Sequence, residues 1–158
     1  MAESQDTTTY FGNFAETGPG IGNAGSYQVS GYPWLTGSTL ADGAEVKITF
    51  PSVTKRVQIY HKGITGADTD TDIRLHFDSI SDSGDVIGQH HYITLAGPTV
   101  LGLPAFGQIQ ANLKCSHLFL SSAGSSGNTA RYEIVADLTG IAPAQMFELT
   151  GSGINSGV

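Results

Sequence analysis

Positive charge is what this chain has least of. Seven Lys and Arg stand against fourteen Asp and Glu in 158 residues, a formal net charge of −7. No basic run exists, and phosphate recognition needs clustered positive charge, so nucleic acid is excluded as an expected partner. The same shortage argues against an anionic membrane surface. Cys115 is the single cysteine, which rules out an internal disulfide and fits synthesis in a reducing cytoplasm. No apolar run approaches the roughly 20 residues that span a bilayer. The start, "MAESQDTTTYFG", lacks both the basic region and the apolar stretch of a signal peptide. Charged residues make up only 13%, where about 25% is usual. Polarity comes instead from Gly, Ser, Thr, Asn and Gln, which suits a turn-rich β-protein with a neutral, hydrogen-bonding surface.

The length fits one domain, and 39% hydrophobic residues suffice for a core. Residues 1–30 differ from the rest: Gly/Thr-rich, without apolar periodicity, yet carrying Tyr10, Phe11, Phe14 and Tyr27. They read either as a disordered tail or as an extended arm whose aromatics dock on another chain, where anchoring offsets the entropy of ordering. Residues 31–158 read as a β-sandwich domain with a period of two. "AEVKITF" sets Val46, Ile48 and Phe50 against Lys47 and Thr49, and Pro51 ends that strand. "ADG" at 41–43 signals a hairpin joining it to "WLTGSTL". "KRVQIYH" groups Val57, Ile59 and His61; "DIRLHFDSI" places Ile73, Leu75 and Phe77 inside with Arg74, His76 and Asp78 outside. "IQANLKC" aligns Ile109, Ala111, Leu113 and Cys115. "RYEIVADL" aligns Tyr132, Ile134, Ala136 and Leu138, and "HLFLSS" is apolar on both faces, as a central strand is. Only "APAQMFEL" offers a helical turn, with Pro143 at its start. Seven or eight such strands imply an all-β, antiparallel β-sandwich, jelly-roll-like or Ig-like, with an extended N-terminal arm. "LAGPTVLGLPAFGQ" is too broken for a strand. Its Val100, Leu101, Leu103 and Phe106 either fold onto the core or meet a partner.

No motif of the sequence points to catalytic or metal chemistry. "DVIGQHHYITL" reads as a strand, and successive strand side chains point to opposite faces. His90 and His91 therefore cannot chelate one ion; His91 is assigned to the core face and His90 to the other. His61, His76 and His117 sit on other strands, without the spacing of a zinc pattern. Asp68, Asp70 and Asp72 begin like a calcium loop, but the glycine and glutamate that complete one are missing, leaving a solvated acidic loop or a loose calcium site. "GSSG" at 124–127 is not a nucleophile elbow, Cys115 has no activating neighbours, and "GPGIG" at 18–22 follows no strand and has no Lys. No pair of carboxylates is singled out for glycoside hydrolysis. The expectation is a non-enzyme without metal or cofactor. Trp34 either closes one end of the sandwich or, with Tyr92, offers an aromatic face to a sugar ring.

Five segments, "YPWLTGSTLADGAEVKITFPSVTKRVQI", "RLHFDSI", "VIGQHHYITL", "NLKCSHLFLSS" and "YEIVADLTGIAPAQMFELTGSGI", occur in this order. Together they resemble small capsid decoration proteins (knob, fibre or cement proteins) of marine tailed bacteriophages, including cyanophages. The resemblance covers roughly residues 32–154, and "GQHHYITL" and "LTGSGI" are its most distinctive pieces. It implies a structural virion protein on the outer surface of an icosahedral head, with the major capsid protein as partner. A homotrimer at local threefold sites and a monomer at hexamer centres both suit that setting. On this reading the capsid contacts are Tyr10, Phe11, Phe14 and Tyr27 of the arm and the 100–106 loop. A carbohydrate-binding, lectin-like sandwich is the alternative, with Trp34 and Tyr92 facing the glycan.

Overall fold

The computed structural model describes residues 33–65, 71–81, 85–97, 107–123 and 129–146. They form eight strands: β1 (Trp34–Ala41), β2 (Glu45–Thr49), β3 (Thr54–Thr65), β4 (Ile73–His76), β5 (Ile93–Leu95), β6 (Gln108–Ala111), β7 (His117–Ser122) and β8 (Thr129–Leu138). A helical turn, α1 (Asp85–Gly88), lies between β4 and β5, and a 3-10 turn at Pro143–Gln145 follows β8. That last turn falls where "APAQMFEL" placed it, with Pro143 in its first turn.

Alternation of side chains builds the core. Along β8 every second residue from Ala130 to Leu138 is buried, as its pattern dictates. Val57 and Ile59 from β3, Ile73 and Leu75 from β4, and Leu118 and Leu120 from β7 meet them in one cluster fed by both sheets. β7 is buried along almost its whole length because it is central, flanked by β2 and β4.

All pairings are antiparallel. One sheet has the order β1-β8-β3-β6 and the other β2-β7-β4-β5. Nearly every connection therefore crosses between sheets, which is the double Greek-key order of a jelly roll rather than the immunoglobulin arrangement.

Three local expectations are corrected. The Ala41–Ala44 turn exists, closed by Ala44 N–H donating to the Ala41 carbonyl at 3.0 Å, with Gly43 at φ 66°. It is a corner, not a hairpin, because β1 and β2 enter different sheets. Turn chemistry is local, whereas the sheet a strand joins is decided by partners far along the chain. The run "DVIGQHHYITL" is not one strand: it opens as α1, turns through His90 at φ 59°, and becomes β5 only at Ile93. Val86, not Ile87, is the fully buried residue there. Finally, His76 and Asp78 are buried rather than exposed. His76 leaves β4 on the side opposite Leu75, and Asp78 belongs to the connection after β4, whose Ser79 and Ile80 are held by Glu45 of β2 over that side.

Candidate functional site

A hydrogen-bonded polar cluster lies on the outer face of the β2-β7-β4-β5 sheet. His76 projects there from β4 and stacks on Phe119 of β7, with ring centroids 5.8 Å apart. Its Nδ1 faces the main-chain carbonyl of Asp78 at 2.6 Å, and a carbonyl only accepts, so Nδ1 carries the proton. Nε2 then accepts from the Ser121 hydroxyl at 3.0 Å. Glu45 of β2 holds the connection above: Ser79 Oγ donates to Oε1 at 2.6 Å and Ile80 N–H to Oε2 at 2.7 Å. Asp78 Oδ1 accepts from Ser79 N–H at 2.8 Å, while its buried Oδ2 has no hydrogen-bond partner. Burial pushes the His76 imidazole below the usual histidine range, opposed by the Asp78 carbonyl and the Glu45 charge.

A serine against a histidine invites comparison with nucleophilic catalysis. Here both side chains are sealed, Ser121 at 1% and His76 at 0% exposure, and the orienting group is a carbonyl, not a carboxylate. A nucleophile needs room for a substrate, so the arrangement acts as a structural network.

The other histidines are placed separately. His61 is buried in the β3–β8 region, its Nε2–H donating to the Thr71 carbonyl at 2.8 Å and its Nδ1 accepting from Gly63 N–H at 3.1 Å; burial lowers its pKa. His117 sits edge-on to Phe119, and burial and the Lys47 ammonium both lower its pKa. His90 is exposed with Nδ1 3.1 Å from the Tyr92 hydroxyl; His91 is half-buried and its enclosed Nδ1 is unpaired. Among the described residues no three His, Cys, Asp or Glu side chains gather to hold a metal. Asp72 uses Oδ1 to accept Gly97 N–H at 2.7 Å, tying down the start of the β5–β6 connection; Asp68 and Asp70 lie outside the described residues. The Cys115 thiol, beside Thr54 Oγ1 at 3.4 Å, is raised by burial, which keeps it protonated and unreactive.

The two candidate glycan-facing aromatics are both half-buried, each with a ring contact to a neighbour. Trp34 is packed against the core, edge-on to Phe50 at 5.1 Å. The Tyr92 ring carries the Arg74 guanidinium 4.8 Å from its centroid. The proposed capsid contacts Tyr10, Phe11, Phe14, Tyr27, Val100, Leu101, Leu103 and Phe106 lie outside the described residues.

An open surface that the pattern reading passed over is the outer face of the β1-β8-β3-β6 sheet. Register lines up two rows across its four strands: Leu35, Val135, Gln58 and Gln110, then Gly37, Glu133, Tyr60 and Gln108. Gln58 Nε2 donates to Gln110 Oε1. Arg56 pairs with Asp137 at 2.7 Å and Lys62 with Glu133 at 3.3 Å. The exposed Lys62–Glu133 pair contributes at most about 1 kcal/mol, so it orders the surface more than it stabilises it. At the β1 side the face dips into an open groove of about 560 Å³, floored by Gly37 and edged by Leu35, Lys62 and Arg131. Alternation along β3 contained this signal, since Arg56, Gln58, Tyr60 and Lys62 interleave with the buried set. What the sequence concealed was which strands lie beside β3.

No protein-family model matches the chain, and no curated protein matches it.

Proposed function

We propose that this chain is a structural virion protein that decorates and stabilises the outer surface of an icosahedral phage head by binding the major capsid protein. The observation that carries the reading is the strand order β1-β8-β3-β6 over β2-β7-β4-β5, an architecture that recurs in viral coat and lectin modules. The ordered run of segments resembling phage decoration proteins supports it from the sequence side. Fold alone does not assign function, so the reading also rests on what the surface offers. One sheet face is partly covered by the connection after β4, while the other is open and carries charges of both signs, two pairs of them bridged.

A protein that binds across a joint between capsid subunits stabilises the assembled shell by mass action, because only the assembled shell offers the complete site. Tyr10, Phe11 and Phe14, with the 100–106 loop, are the proposed contacts. The purified chain is expected to co-sediment with expanded capsids and to raise their melting temperature. Deleting residues 1–30 should weaken that binding at least tenfold while the β-domain stays folded by circular dichroism. Unchanged binding after deletion would remove the arm from the contact, and no binding by the intact chain would overturn the reading.

One observation favours a second reading, a glycan-binding module. Tyr60 stands half-exposed on the open face beside Gln108, and Gln58, Gln110 and Glu133 share its surroundings. An aromatic ring with flanking amides and a carboxylate is the equipment for stacking and hydrogen bonding a sugar. A glycan array separates the readings: saturable binding abolished by Tyr60→Ala supports the second, and a blank array removes it.

A further inference from the structure

Register lines up Glu45, Ser121 and Arg74 in one row across β2, β7 and β4, and Lys47, Phe119 and His76 in the next. Residues 78–81 follow β4 and are held over this face by polar contacts. Glu45 uses both carboxylate oxygens: Oε1 takes the Ser79 hydroxyl and Oε2 the Ile80 N–H. His76 holds the same connection through Nδ1–H, which donates to the Asp78 carbonyl. Its Nε2 accepts from the Ser121 hydroxyl and lies 3.9 Å from Glu45 Oε2, the oxygen that Ile80 uses.

Two features make this closed arrangement depend on a neutral His76. A second proton on the ring would sit on Nε2, where Ser121 now donates. The hydroxyl would have to turn away in a site where its residue is 1% exposed, so water could not take over its bond. The second feature is Asp78, which is 3% exposed and whose Oδ2 has no hydrogen-bond partner. Closure therefore keeps a carboxylate oxygen dry and unpaired, at a cost that lifting the connection relieves. The charged groups facing the ring are Glu45 from β2, Asp78 from the connection and Arg74 from β4. The two carboxylates favour the imidazolium and Arg74 opposes it, but burial outweighs them all and keeps the closed-state pKa below the ordinary value. Lys47 and His117 stand against Phe119, the ammonium 5.5 Å and the imidazole 5.6 Å from that ring's centroid.

We propose that residues 78–81 form an acid-released latch: they stay closed on the outer sheet face while His76 is neutral, and lift from it ahead of the rest of the fold when His76 takes a second proton. Lifting puts the imidazole in water, where its pKa is about 6.5, above that of the closed state. The lifted state thus binds more protons. The advantage of the closed state is full above about pH 6.5 and is lost progressively below it. One such group raises the lifted population by at most about tenfold between pH 7.5 and pH 5.5.

Hydrogen exchange of the full-length chain, followed by NMR over that interval, tests the latch. Exchange is read as a protection factor, which removes the pH dependence of the intrinsic chemistry. Protection of the Ile80 amide should fall about three- to tenfold, and should stay at least tenfold below that of Ile134 in β8 at every pH. His76→Gln should abolish the fall, while His61→Gln and His117→Gln should keep it. In the unaltered chain the His76 ring carbons should titrate below about pH 6.5, a readout that needs no variant. A fall that survives His76→Gln, or that either of the other two variants removes, would overturn the assignment to His76. Protection equal to that of Ile134 would make the opening global. Constant protection, or a His76 titration at or above its ordinary value, would remove the latch.

Discussion

His76 is where burial and titration meet most directly. Its ring is fully enclosed, donates to one carbonyl and accepts from one hydroxyl. Truncating it leaves a cavity and strands the Ser121 hydroxyl, so His76→Ala should cost about 2–4 kcal/mol in chemical denaturation. The same burial makes the fold pH-sensitive. His61, His76 and His117 are all held below their usual range, chiefly by desolvation. The unfolded chain therefore binds more protons than the folded chain as pH falls through about 6.5, the unfolded value. Their contribution to stability is full above that pH and declines below it, until the folded pKa values are passed. Melting temperature should fall from pH 7.5 to pH 5, and replacing His76 by Gln should flatten part of the slope. A flat profile across that interval would contradict the buried neutral assignment.

At the level of elements, the sealed face depends on Glu45 reaching from β2 to the connection after β4. Glu45→Ala removes both acceptors that hold Ser79 and Ile80. The Ile80 amide should then exchange at least tenfold faster, while β8 amides stay protected. The start of β6 depends on a different constraint. A Cβ on Gly107 would collide with the main-chain oxygen of Ala96, and His61 N–H donates to the Gly107 carbonyl at 2.7 Å. Backbone cannot yield as a side chain can, so Gly107→Ala should destabilise by about 1–3 kcal/mol in urea titration. These elements also mark how far the sequence could be read. Alternation placed Ile73, Leu75, Ile134 and Ala136 correctly, because period two is a property of any strand with one buried face. It misplaced His76 and Asp78, because a strand pattern does not register a connection that returns to cover the outer side. It took "DVIGQHHYITL" for one strand because Val86, Ile87, Ile93 and Leu95 are all good strand formers. The left-handed turn at His90 leaves no mark in composition.

For the whole molecule, sheet order is the decisive property and the least legible one. "Jelly-roll-like or Ig-like" was as far as strand count could go. The choice was made by long-range pairings such as β1 with β8, whose residues lie about a hundred positions apart, as in Trp34 against Ala136. The same pairings put Gln58, Tyr60, Gln108 and Gln110 on one open face, so that face is assembled only on folding. On the proposed capsid reading, the β-domain, which has a single cysteine and so no internal disulfide, supplies stability, and the proposed contacts lie outside the described residues. If the proposed role holds, a tailed phage encodes this chain, and cryo-electron microscopy of that phage's purified particles is the most direct test of it. The account predicts regularly spaced β-sandwich density on the outside of the head, fitting residues 33–146, with its N-terminal arm against the major capsid protein. Particles whose head surface lacks that density, with the chain absent from their protein content by mass spectrometry, would contradict it.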